Sequence, residues 1–558
     1  MIVKVQVKSG LIQVGYEGIV GLEIAANLRK ILPEAKINRL EKNISVPLGG
    51  AIDVKEIVGT RADYDLTFLK LLEKLVRHVE AINNFNQIII EDTASEILHD
   101  KWEGILETQQ FQAVKLMTLN GLLGCCLFDE QGSGKTVMTI AAIEYLLEQK
   151  RIDSVLVVCP VSMINTWENE LVKYIVNDVE ISKLVGSSKL KRELLREEPD
   201  IIITNFEGLD SILVPLCSWL GDRKCLLIVD ESFTVKNGES RRSIATLSCR
   251  KLCEIAYVLC GTPAPNSTAD LIHQLTLSDL GYACRYIPDN ESSSEAIKDC
   301  LESDGVVIRR LKTDILNFVP HKKFNIVSVQ LSEGQRVLYE KIKSGLVLEL
   351  RSMTDKSFKQ NISSYLAKRA KLLMLCSSPE QVDSLLIKQC AKYKYLDELI
   401  EELVALNQKI IIWSYYTNPI QQIAQRYSHL RPVVIDGSID SAERARAVHS
   451  FQFENEVKLF VGNPAAAGAG ITLHSACNAI YFSLPLQAAH YLQSLDRIHR
   501  RGQTSEVVSY YYLVCERTIE VSALARLRQK ELTQHDLFGE YVEYPSTLDE
   551  ALTELLDD

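Results

Sequence analysis

No two of the 14 cysteines are spaced as C-x-x-C, which speaks against a zinc site or a disulfide framework. Cys125, Cys126, Cys159, Cys225 and Cys260 lie inside apolar, strand-like runs, as reduced and buried thiols in a cytosol would. Cys249 and Cys253, four apart, read as one helix face. No apolar run approaches the roughly 20 residues that span a bilayer, so no membrane partner is expected. Met1-Ile2-Val3-Lys4-Val5 alternates like a strand and lacks the basic-then-apolar layout of a signal peptide. Low-complexity linkers and short-period repeats are missing too. Positive charge is in deficit: 62 Lys and Arg against 73 Asp and Glu leave a net −11, which argues against coating nucleic acid by bulk electrostatics. A local basic track remains open at Lys356, Lys359, Lys368, Arg369 and Lys371, although a solvated helix face accounts for it equally well.

What is present is length and rhythm. At 558 residues, with 46% hydrophobic and 24% charged side chains, the chain exceeds one core and predicts two to four domains. Residues 1–95 stand apart as a small N-terminal α+β accessory domain: Val3, Val5, Val7, Ile12 and Val14 alternate as a hairpin around Ser9-Gly10. Helical spacing follows near Leu22–Leu32 and Leu66–Val76. From Leu122 the order becomes strand, turn, helix, with apolar runs at Leu122–Phe128, Val155–Cys159, Ile201–Thr204, Leu226–Val229 and Tyr257–Cys260. It restarts at Ile410–Ser414, Val433–Ile435, Leu459–Val461, Ile480–Phe482 and Val508–Val514. Two tandem α/β domains with parallel sheets follow from this pattern, over 96–290 and 391–535. A mainly helical region is expected at 291–390 and an acidic tail at 536–558.

Asp129-Glu130-Gln131-Gly132-Ser133-Gly134-Lys135-Thr136 reads as a phosphate cradle between a strand and a helix. Gly132 and Gly134 allow the backbone to point N–H groups at phosphate oxygens. Lys135 offers charge to the β- and γ-phosphates and Thr136 a hydroxyl to Mg²⁺. Asp129 stands where the strict pattern has Gly. The run Leu226-Leu227-Ile228-Val229 ends in Asp230-Glu231, placing Asp230 to hold Mg²⁺ and Glu231 to orient and deprotonate the attacking water. Far downstream, Arg497 and Arg500 are three apart on what reads as one helix face, where two guanidiniums can neutralise charge on a γ-phosphate. A salt-bridged surface helix is the plainer account of that row, since Asp496 is adjacent.

With these residues in order, the chain resembles the Swi/Snf family of superfamily-two helicase-like ATPases, from about Leu106 to Lys530. Gln110 falls in a segment similar to the family's adenine-sensing glutamine, and Asp129–Thr136 resembles DEMGLGKT, which also lacks the first strict Gly. Val158-Cys159-Pro160-Val161-Ser162 with Trp167 and Glu170 resembles the CPxSLxxxWxxE segment that meets one DNA strand, and Thr204 lies in the next such segment. Asp230–Asn237 is similar to DEAHxxKN, with Phe233 in place of His. Leu259–Asn266 resembles LTGTPxxN. Arg309-Arg310-Leu311-Lys312, and Gln335 with Tyr339, are similar to the RRxK and QxxxY elements between the lobes. Asp436-Gly437-Ser438 with Arg444, Ala467–Leu473 with Gly470 and Thr472, Gln493–Gln503, and Thr518-Ile519-Glu520 complete the series.

The resemblance implies two RecA-like lobes, an ATP-binding one and a helicase C-terminal one. It implies ATP and Mg²⁺ as cofactors, with Gln110, Gly132, Ser133, Gly134, Lys135, Thr136, Gly470 and Gln493 around the nucleotide. Pro160, Thr204, Ser414 and Thr472 become candidates for contacts to the DNA backbone, which would be sequence-independent and salt-sensitive. The expected activity is DNA-stimulated ATP hydrolysis with translocation on double-stranded or branched DNA, protein on that DNA being the cargo. Without long appended modules, the expectation is a compact monomeric translocase of a bacterial or phage-infected cytoplasm, its residues 1–95 choosing the DNA structure. The alternatives are a helicase separating DNA or RNA strands and a nucleotide-dependent clamp with little turnover; a small-molecule kinase leaves the second α/β domain without a task.

Overall fold

The computed structural model describes residues 3–15, 18–88, 100–175, 179–235, 237–261, 263, 270–288, 294–315, 318–386, 389–467, 471–500, 502–532 and 547–556. They form two compact units, one running to residue 316 and the other beginning at 317.

The first unit opens with β1 (Val3–Lys8), β2 (Leu11–Gly15), β3 (Lys36–Asn38), β4 (Asn43–Val46) and β5 (Ala62–Tyr64). They form one sheet in the order β3-β4-β2-β1-β5, with only β5 running parallel to its neighbour. The β1–β2 hairpin closes through Ser9 and Gly10, both at positive φ, the twist a two-residue turn needs. Val3, Val5, Ile12, Val14, Ile44 and Val46 are buried, while Lys4, Gln6 and Lys8 between them are exposed. This α+β module is stitched to the rest of its unit. Lys74 lies 2.6 Å from Glu254, Tyr286 donates to Asp53 at 2.6 Å, and a Cβ on Gly49 would come within 2.4 Å of the Gly281 backbone.

The same unit holds a seven-stranded, wholly parallel sheet: β6 (Gly124–Leu127), β7 (Ser154–Cys159), β8 (Ile181–Leu184), β9 (Ile201–Asn205), β10 (Cys225–Asp230), β11 (Ile255–Leu259) and β12 (Val307–Ile308). The order is β12-β6-β11-β10-β7-β9-β8. Every residue of β6, β7, β10 and β11 is buried, as strands covered on both faces must be.

The second unit repeats the plan with β13 (His321–Val329), β14 (Ile410–Trp413), β15 (Val433–Ile435), β16 (Leu459–Gly462), β17 (Asn478–Tyr481) and β18 (Val507–Cys515), all parallel, in the order β13-β18-β17-β14-β16-β15. The chain is thus two tandem RecA-like α/β lobes with an N-terminal α+β module. Within 291–390, where helices were expected, helices Glu333–Arg351 and Asp355–Ser377 do form. Two segments pair as strands instead: β12 extends the first parallel sheet and β13 the second. Gln335 and Tyr339 act as staples, Gln335 donating to Leu375 O at 2.8 Å and Tyr339 accepting Ile519 N–H at 2.9 Å.

Candidate nucleotide site and nucleic-acid edge

In an open parallel sheet, ligands collect beyond the carboxyl ends of the strands. At that end of β6 the backbone turns sharply before helix Lys135–Glu148 begins. Gly132 and Gly134 have φ of 83° and 91°, and a Cβ on Gly134 would sit 2.4 Å from Gln110 Nε2. Glycine is required there on both counts. Gln110 braces the loop from behind: its amide donates to Ser133 O at 2.6 Å, and its oxygen accepts Glu107 N–H at 2.8 Å. Lys135 Nζ donates to the carbonyls of Asp129 (2.7 Å) and Glu130 (3.0 Å), and Thr136 is half-buried in the first helical turn. The Ser133 hydroxyl is buried with no hydrogen-bond partner among the described residues.

Asp129 has a structural reason. Its fully buried carboxylate is gripped by Arg310, which donates from Nε at 3.1 Å and from Nη2 to the other oxygen. The fork-to-carboxylate match is the strong geometry for such a pair. The chain around Arg310 runs beside the loop: Phe128 N–H donates to Ile308 O at 2.8 Å, Glu130 N–H to Arg310 O at 3.1 Å, and Lys312 N–H to Glu130 Oε2 at 2.7 Å. Arg309 donates to Phe128 O. The Arg309–Lys312 element, expected between the lobes, therefore belongs to the wall of the phosphate loop.

Asp230 closes β10. Trp167, wholly buried, donates from its indole nitrogen to Asp230 Oδ2 at 2.9 Å, and Glu231 N–H donates to Oδ1 at 2.9 Å. Burial raises the carboxyl above its ordinary range, while Trp167, Lys135 and the Glu231 N–H pull it back down. Glu231 has φ of 52°, an uncommon left-handed conformation for a non-glycine residue, and accepts from Gln131 Nε2 at 3.1 Å. Gln131 in turn packs under Gly261, where a Cβ would lie 2.2 Å from its Cγ. Ser232 donates to Gln274 at 2.5 Å, and Gln274 donates to Pro263 O at 2.6 Å. A polar chain thus links the acidic strand end to Gly261 and Pro263; Thr262, Ala264, Pro265 and Asn266 lie outside the described residues, as does Lys236.

In the second unit the expected helical row is interrupted. Helix Ala488–Leu495 stops before Arg497, and the chain continues as a turn over 496–498 and a bend at His499 and Arg500. Arg497 and Arg500 do not share a helix face. They converge differently, both donating to Ile471 O, at 2.9 and 3.1 Å. Desolvation lowers the pKa of Arg500, opposed by Asp496. Gln493 is buried on the preceding helix. Gly470 lies outside the described residues.

The four candidates for DNA contact have different settings. Pro160 is half-buried where β7 ends, and Thr472 is half-buried beside Ile471. Thr204 and Ser414 are fully buried. The Thr204 hydroxyl donates to Leu184 O at 3.2 Å, and the Ser414 hydroxyl contacts Tyr416 O at 3.0 Å and Ser483 Oγ at 3.2 Å. Of the basic stretch, Arg369 is buried against Glu554 at 2.9 Å and Lys368 pairs with Glu349.

Sequence reasoning missed the partners of four residues. The motif places Trp167 in the DNA-facing segment, whereas its indole N–H reaches Asp230. Arg310, Gln131 and Gln274 carried no stated task. A double arginine directly after the apolar Val306-Val307-Ile308 was the available signal for Arg310.

This arrangement, a phosphate loop and an acidic strand end on one parallel lobe followed by a second parallel lobe, defines a helicase-type nucleotide hydrolase. The SNF2-related domain matches residues 109–381 and the helicase conserved C-terminal domain residues 391–502, so the chain belongs to the Swi2/Snf2 family of helicase-like ATPases and is an ATP hydrolase. It is 25% identical over 472 residues to the transcription regulatory protein SNF2 of Saccharomyces cerevisiae, covering 76% of this chain and 27% of that protein. It is 25% identical over 508 residues to the chromatin structure-remodeling complex subunit snf21 of Schizosaccharomyces pombe, covering 82% and 41%. The chain thus spans well under half the length of these curated relatives. Among solved structures it is similar to the Sulfolobus solfataricus SWI2/SNF2 ATPase core in complex with dsDNA, at 23% identity and TM-score 0.35, covering 81% of this chain and 96% of that one.

Proposed function

We propose that this ATPase is stimulated by DNA and uses hydrolysis to translocate on double-stranded DNA, remodelling branched DNA or protein–DNA complexes. The carrying observation is shared placement: the phosphate loop after β6, Asp230-Glu231 at the end of β10, Pro160 after β7 and Thr204 in β9 occupy the carboxyl ends of one sheet. Chemistry at the nucleotide and contact with a backbone would then act on the same strand ends.

The residues fit a magnesium nucleotide. A glycine cradle that a Cβ would fill, a buried Ser133 hydroxyl with no hydrogen-bond partner among the described residues, the Thr136 hydroxyl and the Asp230 carboxylate form the donor set such a group needs. Thr136 and Asp230 would hold the ion. The chemistry supplied by a bound Mg²⁺ is charge neutralisation at the phosphate oxygens. The chain's own residues do the rest. Lys135 exchanges its carbonyl partners for phosphate oxygens, and the N-terminus of helix Lys135–Glu148 adds its positive end. Glu231, oriented by Gln131, accepts a proton from the attacking water. The role we propose for Arg497 and Arg500 is to neutralise charge on the γ-phosphoryl group as it passes from ADP to water, a role worth on the order of 10³-fold in rate.

Translocation is read from displacement of a third strand bound to a duplex, as a function of ATP. ATP-dependent release without separation of the duplex supports the proposal. Strand separation on a tailed duplex, with no triplex displacement, would select the unwinding-helicase reading.

A further inference from the structure

We propose that Trp167 is a positioning residue that transmits DNA engagement to the nucleotide site by setting the orientation of the Asp230 carboxylate. This rests on the DNA-stimulated reading above and names the wire within it.

Three observations meet at this side chain. Trp167 is completely buried, and its indole N–H points at one oxygen of Asp230 at 2.9 Å. The other oxygen receives Glu231 N–H at 2.9 Å, so two donors of fixed direction define the carboxylate plane. One donor belongs to the acidic strand end itself. The other belongs to a different segment, the one that continues from β7, and it touches the Asp230 carboxylate directly.

That segment is continuous with the edge where a backbone would be met. β7 ends at Cys159, Pro160 opens a tight turn over Val161–Met163 closed by Met163 N–H to Pro160 O at 2.8 Å, and helix Ile164–Tyr174 follows without a break. Val161 is 58% exposed, although it is apolar and sits on a turn that leads straight into the core. Trp167 lies one turn into the helix, so a shift of the 160–163 turn moves the indole with it. β7 and β10 are hydrogen-bonded neighbours, Val158 opposite Val229, which keeps the lever short.

A bare structural role predicts something different. The ring fills space in either case, and a buried carboxylate gains stability from any donor, so a bare structural role predicts a loss that is the same with and without DNA. The indole nitrogen is the atom that touches the carboxylate, at 2.9 Å. Replacing Trp167 by Phe keeps most of the ring and removes the donor.

The test compares wild type, Trp167→Phe and Trp167→Tyr in steady-state ATP turnover with and without linear duplex DNA. Alongside it run the Mg²⁺ concentration for half-maximal binding of a fluorescent ADP and the thermal midpoint. Trp167→Phe is expected to lose about tenfold of the DNA-stimulated rate and to need about tenfold more Mg²⁺ for ADP binding, outer partners of metal ligands having effects of this size. Its rate without DNA should fall less, so that the stimulation ratio drops. Trp167→Tyr, which carries a hydroxyl donor, should recover part of both. An equal loss with and without DNA, or an unchanged Mg²⁺ requirement, overturns the proposal. If the wild type itself shows no stimulation by DNA, the functional reading has failed instead. A variant that melts early but keeps its stimulation ratio and Mg²⁺ requirement also counts against the wire.

Discussion

At the scale of single residues, charge that is buried is charge that has been answered. Asp129 is the plainest case: a carboxylate with no solvent exposure sits where the strict phosphate-loop pattern has Gly, and Arg310 answers it from 181 positions away. Arg310→Ala leaves that carboxylate alone beside the loop and should destabilise the first unit by roughly 3–5 kcal/mol, the usual cost of breaking a buried pair. Thermal unfolding reads the loss, and nucleotide affinity should fall with it; unchanged melting would show that the pair is dispensable. Lys135→Ala should abolish ATP turnover, checked by phosphate release. Arg500→Ala is expected to keep nucleotide binding, measured by fluorescence titration, while hydrolysis falls on the order of 10³-fold. The identities of Lys135, Thr136, Asp230 and Glu231 as candidates were legible because each carries its chemistry in its own side chain and neighbours. The partners were not legible: Trp167 and Asp230 are 63 positions apart, and nothing in one-dimensional spacing pairs an indole with a carboxylate.

At the scale of elements, period and composition carried most strands and missed those whose pattern was weak. β6, β7, β9, β10 and β11 lie in the apolar runs, because strands buried on both faces read as near-continuous apolar stretches, Val, Ile and Leu in most and Cys125-Cys126-Leu127 in β6. β13 alternates exposed and half-buried residues at a sheet edge, and β12 is two residues long, so neither stood out from a helical region. The row at Gln493–Arg500 kept helical spacing while the helix ended at Leu495, and the guanidiniums were gathered by a carbonyl instead. Acidic composition near the C-terminus concealed another element. Helix Leu548–Leu556 buries Ala551 and Leu555, and its Glu554 accepts from Arg369 at 2.9 Å, from Arg526 at 2.5 Å and from Tyr365 at 2.8 Å. These cations hold Glu554 below the usual carboxylate range against the upward push of burial. Glu554→Ala strands Arg369 in the interior, so the second unit should lose about 3 kcal/mol. Differential scanning calorimetry checks this, and a second unit melting as in wild type would mean the helix is an ornament.

At the scale of the whole molecule, the N-terminal module is joined to the first parallel lobe within one unit, and that junction carries a pH signature. His78 is buried, accepts Leu123 N–H at 3.3 Å, and is held to a pKa of about 3 by burial and then by Arg250. Its folded pKa lies below the unfolded value near 6.5, so as pH falls the unfolded chain takes up the proton first. The stability it contributes is complete above pH 6.5 and is lost on the way down toward pH 3, about 2 kcal/mol of it by pH 5. His78→Asn keeps an acceptor without the titration and should flatten the difference in unfolding free energy between pH 7 and pH 5; an identical slope in both proteins would remove His78 from the account. The larger claim is that two parallel lobes and one nucleotide site serve an engine driven along DNA. Its most direct test is steady-state ATP turnover by the full chain, with and without linear duplex DNA at fixed salt. The account predicts a rise of at least several-fold on adding duplex, lost in Lys135→Ala. Turnover that is the same in the presence and absence of DNA would contradict it.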